Sequence, residues 1–79
     1  MFPHVKIYST PTCVYCKMTK KFLTGHNVPY EDLDVSQDEA ALAEMVKKSH
    51  QLGVPVIEVG NQVFVGFDQE ALTEVLHLK

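Results

Sequence analysis

The sequence predicts an α/β fold: a mixed four-stranded sheet covered by three helices, in the order β-α-β-α-β-β-α. Three observations carry this. Short, β-rich apolar runs recur at 5–8, 30–35, 56–59 and 62–65. Apolar residues at helical spacing fill the segments between and after them. The last two β-rich runs are separated only by Gly60-Asn61, a two-residue hairpin signal. At 79 residues the chain is expected to be one domain, spanning 1–79, near the lower limit of what one hydrophobic core holds together.

Each element has a local reason. Val5 to Tyr8 reads as the first strand, and Pro11 stops it. From Val14 the pattern turns helical, with Val14, Met18 and Phe22 four apart and Leu23 beside them; Gly25 and Pro29 end it. Lys17, Lys20 and Lys21 are expected in its later turns, where the helix dipole is negative. Tyr30 to Val35 alternates polar and apolar as a strand does. Ser36 with Glu39 three residues on is a capping-box signature. It predicts a helix carrying Leu42, Met45 and Val46 on one face and Lys47 and Lys48 near its end. Asp68 is expected to cap a final helix striped by Ala71, Leu72, Val75 and Leu76. The first half is then a βαβ unit, hence a parallel pair with a right-handed crossover, and the second half an antiparallel hairpin and a helix.

Composition narrows the function. The apolar fraction of 46% and charged fraction of 22% are those of an ordinary globular protein. Net charge is −3 and all seven basic residues are lysines. Without arginine there is no bidentate fork for phosphate or guanine, so no nucleic-acid partner is expected. The N-terminal residues have no basic segment followed by a long apolar one, and no run approaches the ~18 apolar residues of a membrane span. A soluble, cytoplasmic chain with no membrane partner is expected, a setting that favours thiol chemistry over a persistent disulfide.

Both cysteines lie in one stretch, "STPTCVYCK", two residues apart. A bridge across so short a loop removes little unfolded-state entropy, which makes stapling a poor reason for the pair. Cys13 is expected in the strand-to-helix turn and Cys16 in the first helical turn. A thiol there faces unpaired backbone N–H groups and the positive end of the dipole, which favours the thiolate. Two intervening residues let the second sulfur reach the first. The pattern predicts Cys13 as a nucleophile of depressed pKa and Cys16 as the resolving thiol. Two buried thiols acting as small hydrophobes are the plain alternative. Zinc needs three or four ligands, and His4, His26, His50 and His77 have no ligand spacing, so no metal ligands are assigned. A small copper chaperone also carries an early CxxC, but with a βαββαβ order and a methionine before the first cysteine, where this chain has Pro11-Thr12.

On these residues the chain resembles a glutaredoxin, over nearly its whole length. "YSTPTCVYC" is similar to that family's active-site segment and "VPYEDLDVSQD" to its second strand and following helix. Gly53-Val54-Pro55 stands where the family has Thr-Val-Pro, and "VGFDQEAL" where it has a Gly-Gly segment before the last helix. The resemblance implies a thioredoxin-like fold, with Pro55 a cis proline against the cysteines and the Val54 backbone available to a peptide or glutathione. It places Pro11, Tyr15, Gly66, Phe67 and Asp68 along the same groove. It implies no bound cofactor beyond a redox-active Cys13–Cys16 disulfide, with glutathione as a possible co-substrate.

Three departures qualify it. Thr10 stands where glutathione-using members carry a lysine, Leu52 where many have a polar residue, and Gln69 where an aspartate is common. Glutathione has two carboxylates, and removing an opposing cation leaves one less well paired. The departures, with Gly66-Phe67, are similar to the NrdH-type redoxins, which draw electrons from thioredoxin reductase. The expected partners are disulfide-containing proteins, ribonucleotide reductase among the candidates, with thioredoxin reductase or glutathione as donor; a monomer is expected. The reading from another class is a module that binds a metal or an iron–sulfur cluster.

Overall fold

A computed structural model describes residues 3–78. Its sheet is built around β1 (Val5–Ser9), whose residues are nearly all buried because both faces are covered. The strand order is β2-β1-β3-β4. β2 (Glu31–Asp34) runs parallel to β1, with Lys6 opposite Glu31 and Ser9 opposite Asp34. A parallel neighbour requires a crossover, and α1 (Val14–Gly25) supplies it. β3 (Val56–Val59) runs antiparallel to β1, pairing Val5 with Val59 and Tyr8 with Val56. β4 (Gln62–Val65) folds back on β3 through Gly60-Asn61. Gly60 has φ 61°, the positive value that a two-residue hairpin turn needs at its first position. α2 (Glu39–Ser49) and α3 (Gln69–Val75) complete the expected order. Among the described residues no helix is long and apolar enough to cross a membrane.

Strand alternation sends successive side chains to opposite faces and divides the core in two. Val5, Ile7, Ile57 and Val59 pack with Leu23 of α1 and with Leu72 and Leu76 around α3. Tyr8 and Val56 face the other way and pack with Ala41 and Met45 of α2. On that second face Lys6 and Glu58 neighbour Tyr8 and Val56. A polar group there needs partners, and α2 provides them. The Tyr8 hydroxyl donates to Glu44, and Lys48 Nζ lies 3.1 Å from Glu44 Oε1 and 2.9 Å from the Glu58 carboxylate. Lys6 Nζ lies 3.4 Å from Glu44. Burial, then the bond to Glu44, pushes the Tyr8 phenol up to about 12. The Tyr8 and Lys48 bonds hold the Glu44 carboxyl down to about 2. The Glu58 carboxylate is the main reason that Lys48 is held above its ordinary value.

Three local expectations are corrected. Ser36 does not cap α2. Its N–H and hydroxyl both turn back to Asp34 Oδ1, and the Asp34 carbonyl accepts the N–H groups of Gln37 and Asp38. That turn occupies 34–38, so the helix begins at Glu39, with Asp38 accepting the Ala41 N–H at 3.0 Å. On α1 the buried stripe is Cys16, Thr19 and Leu23, not Val14, Met18 and Phe22; Val14 is 65% exposed and Met18 45%. Both sets have helical spacing. Thr19 tolerates burial because its hydroxyl donates to the Tyr15 carbonyl at 2.8 Å. Finally, the α1 lysines stop short of the last turn, which holds no basic residue.

Candidate active site

The end of β1 leads into a tight turn at Pro11-Thr12, closed by the Cys13 N–H donating to the Thr10 carbonyl at 3.3 Å. Cys13 is then the N-cap of α1, with extended backbone (φ −81°, ψ 116°). Its Sγ takes the place that a Ser or Asp oxygen usually fills, accepting the Cys16 N–H at 3.1 Å. A backbone dipole thus points at the sulfur on which charge must reside for attack. Cys13 is half-buried and Cys16 fully buried, and the two thiols are not bonded to each other. Burial first, and the Cys13 sulfur second, push the Cys16 thiol up to about 11, with the Thr10 backbone and the Lys20 charge opposing them. One sulfur is reachable from outside; the other is held protonated behind it.

Strand register brings the second segment to the same end of the sheet. Tyr8 pairs with Val56, so Val54-Pro55 lies beside the start of the cysteine turn. The Val54–Pro55 bond is cis, as expected, and Pro55 is buried. The Pro55 carbonyl accepts the Gly66 N–H at 2.8 Å, which ties the end of β4 to this point. Gly66 has φ 82°, a conformation that a side chain would strain. Phe67 follows and packs edge-on against Phe22 of α1, with ring centroids 5.8 Å apart. Asp68 caps α3, its Oδ1 accepting the Ala71 N–H at 3.0 Å. Tyr15 and Pro11 are exposed beside the cysteines, and Leu52, ahead of the cis bond, is 72% exposed.

The fold therefore gathers Pro11, Cys13, Cys16, Val54, Pro55 and Gly66 at one sheet end. Phe67 turns toward α1, and the Asp68 carboxylate is engaged in capping. Sequence reasoning missed Gln51. Its side-chain amide donates to the Gly53 carbonyl at 3.0 Å and accepts the Gly53 N–H, bracing the loop before Val54. A glutamine two residues before a glycine gives no pattern that would have revealed this. Among the described residues no group of three or more His, Cys, Asp or Glu side chains is placed to hold a metal ion.

Comparison with known proteins agrees with this geometry. The family model described as Glutaredoxin matches residues 5–65. A glutaredoxin-like 8.6 kDa protein from the rubredoxin operon of Clostridium pasteurianum is 40% identical over 72 residues, covering 91% of this chain and 96% of that protein. A glutaredoxin-like protein NrdH from Lactococcus lactis is 30% identical over 74 residues, covering 90% and 97%. The crystal structure of the thioredoxin-like protein BC3987 superposes with a TM-score of 0.86 at 32% identity, covering 91% of this chain and 99% of that one. Glutaredoxins are thiol–disulfide oxidoreductases, and the half-buried Cys13 before the buried Cys16 fits that chemistry. With its matched residues, its sheet order and its paired cysteines, the chain belongs to the glutaredoxin family.

Proposed function

We propose that this protein reduces protein disulfides through a Cys13–Cys16 dithiol, and that it draws its electrons from thioredoxin reductase rather than from glutathione. The observation that carries the first part is the unequal placement of the two sulfurs: Cys13 half-buried at the N-cap of α1, Cys16 buried behind it. The Cys13 thiolate attacks one sulfur of the substrate disulfide. A mixed disulfide forms, and the other substrate sulfur leaves as a thiolate that takes up a proton. Cys16 then gives up its proton and attacks the Cys13 sulfur, releasing the second substrate thiol. Two electrons pass to the substrate and a Cys13–Cys16 disulfide remains. In the mixed disulfide Cys13 carries no charge, so one of the causes that hold the Cys16 proton is gone when Cys16 must react. The Val54 backbone, beside the cysteine turn, suits an extended substrate segment added in strand fashion.

The donor assignment rests on charge. Thr10 and Leu52 bring no cation to the positions where glutathione-using relatives carry a lysine or a polar residue opposite the tripeptide's carboxylates. Gln69 brings no carboxylate to where an aspartate commonly holds its γ-glutamyl amine, and Leu52 turns an apolar side chain outward. The Lactococcus protein named NrdH lies among the relatives that match nearly the whole chain. The test is NADPH consumption by the oxidised protein with thioredoxin reductase, or with glutathione and glutathione reductase. Rapid turnover with thioredoxin reductase alone is expected. Turnover only with glutathione would overturn the donor assignment while leaving the dithiol mechanism standing.

A further inference from the structure

We infer that the outer flank of α1 is a docking surface for an acidic polypeptide segment with an apolar anchor, next to the disulfide of a protein substrate. This deepens the disulfide-reductase reading and rests on it. The charge distribution is the first observation. α1 carries Lys17, Lys20 and Lys21 and no carboxylate, whereas the rest of the chain holds four lysines against ten acids. An acidic protein thus presents a helix with three lysines and no carboxylate directly after Cys13. Lys20 is spent on Asp32, 2.7 Å away. Lys17 and Lys21 are exposed, lie one turn apart on one face, and have no ion-pair partner among the described residues.

The second observation is the apolar groove beside them. A depression of about 410 Å³ is lined by Met18, Lys21, Phe22, His26, Phe67 and Gln69, and no carboxylate lines it. The capping residue Asp68 and the α3 acids Glu70 and Glu74 line a separate hollow. Val14 and Met18, one helical turn apart, continue the apolar surface from Cys13 to the groove and stay exposed. Geometry then sets the register. At 1.5 Å rise per residue Lys17 lies about 6 Å and Lys21 about 12 Å along the helix from Cys13. An extended chain advances about 3.3 Å per residue, so carboxylates roughly two and four residues from the substrate cysteine meet these lysines. An apolar side chain between them falls over Met18 and Phe22.

The test is single-turnover exchange between the reduced protein and three synthetic disulfide peptides. They differ only at two and four residues from the cysteine, as Glu, Gln or Lys, around a fixed Phe. Each rate is divided by that for bis(2-hydroxyethyl) disulfide, so any change in the nucleophile itself cancels. At low salt the acidic peptide should outpace the basic one about tenfold, the gap closing at high salt. The double variant K17E/K21E should invert the order, and Met18→Ser should slow all three peptides by a common factor. Equal rates for the three peptides, or an acidic preference that survives K17E/K21E, would overturn the inference. Loss of reaction with the small disulfide would instead sink the oxidoreductase reading, and this inference with it.

Discussion

Cys13 and Cys16 are two residues apart, yet burial and one hydrogen bond give them different work. The Cys16 N–H points at Cys13 Sγ, while the Cys16 thiol is buried and pushed up to about 11. Cys13→Ser should abolish disulfide reduction. Cys16→Ser should still attack but accumulate a mixed disulfide, visible by intact mass; absence of any adduct would remove Cys16 from the resolving role. Resolution should also be the pH-sensitive step. Its rate should climb about tenfold per pH unit through the alkaline range, as loss of one proton requires. A rate flat from pH 7 to 9 would contradict this. The same proton affects stability. The reduced folded state holds it more tightly than the unfolded chain, whose thiol titrates near 9. This contribution is complete below pH 9 and is lost as pH rises to about 11.

The helices differ in how they are fastened. α2 is held to its face of the sheet partly by polar contacts, since Lys48 joins Glu44, Glu58 and the Tyr8 hydroxyl. Lys48→Met should cost about 2 kcal/mol, because it strands the poorly exposed Glu58 carboxylate without its cation. Tyr8→Phe should cost less, about 1 kcal/mol, since Glu44 keeps Lys48 and Lys6. Urea titrations of both variants give the order, and a reversed order would mean that the hydroxyl dominates the network. The start of α2 gives a second comparison. Asp38→Ala should cost about 1 kcal/mol as a lost N-cap, and Ser36→Ala a smaller amount. Equal losses would restore Ser36 to the capping role that its spacing to Glu39 first indicates.

For the whole molecule, the charge network sets a window of stability. Glu44 is depressed from 4.5 to about 2, so its contribution is present above pH 4.5 and fades as pH falls toward 2. Tyr8 acts at the other end, its contribution fading as pH rises from 10 to about 12. Thermal melts across pH should show stability declining on both sides. Glu44→Gln should flatten the acid limb; an unchanged limb would assign acid unfolding to other carboxylates.

Much of the architecture is legible in the sequence. The strands at 56–59 and 62–65, the Gly60-Asn61 turn, the Asp68 cap and a cysteine at the start of α1 are local features, and local chemistry specifies them. The second strand is shorter than the alternation over 30–35 suggests, spanning Glu31–Asp34. The resemblance to glutaredoxins supplied what local patterns lack, above all the cis bond before Pro55. What only the tertiary structure decided is which of several permitted faces each element buries. Cys16–Thr19–Leu23 and Val14–Met18–Phe22 are equally good helical stripes, and the sheet beneath α1 selects the first. That choice leaves Val14 and Met18 exposed beside Cys13. Likewise Ser36 and Asp38 both precede α2, and the bonds back to Asp34 decide between them. The link from Gly66 to Pro55 and the Tyr8–Glu44–Lys48 cluster join residues far apart in the chain. A sequence determines periodicity, because that follows from backbone geometry; orientation and long-range pairing depend on what each face meets once the chain has closed on itself.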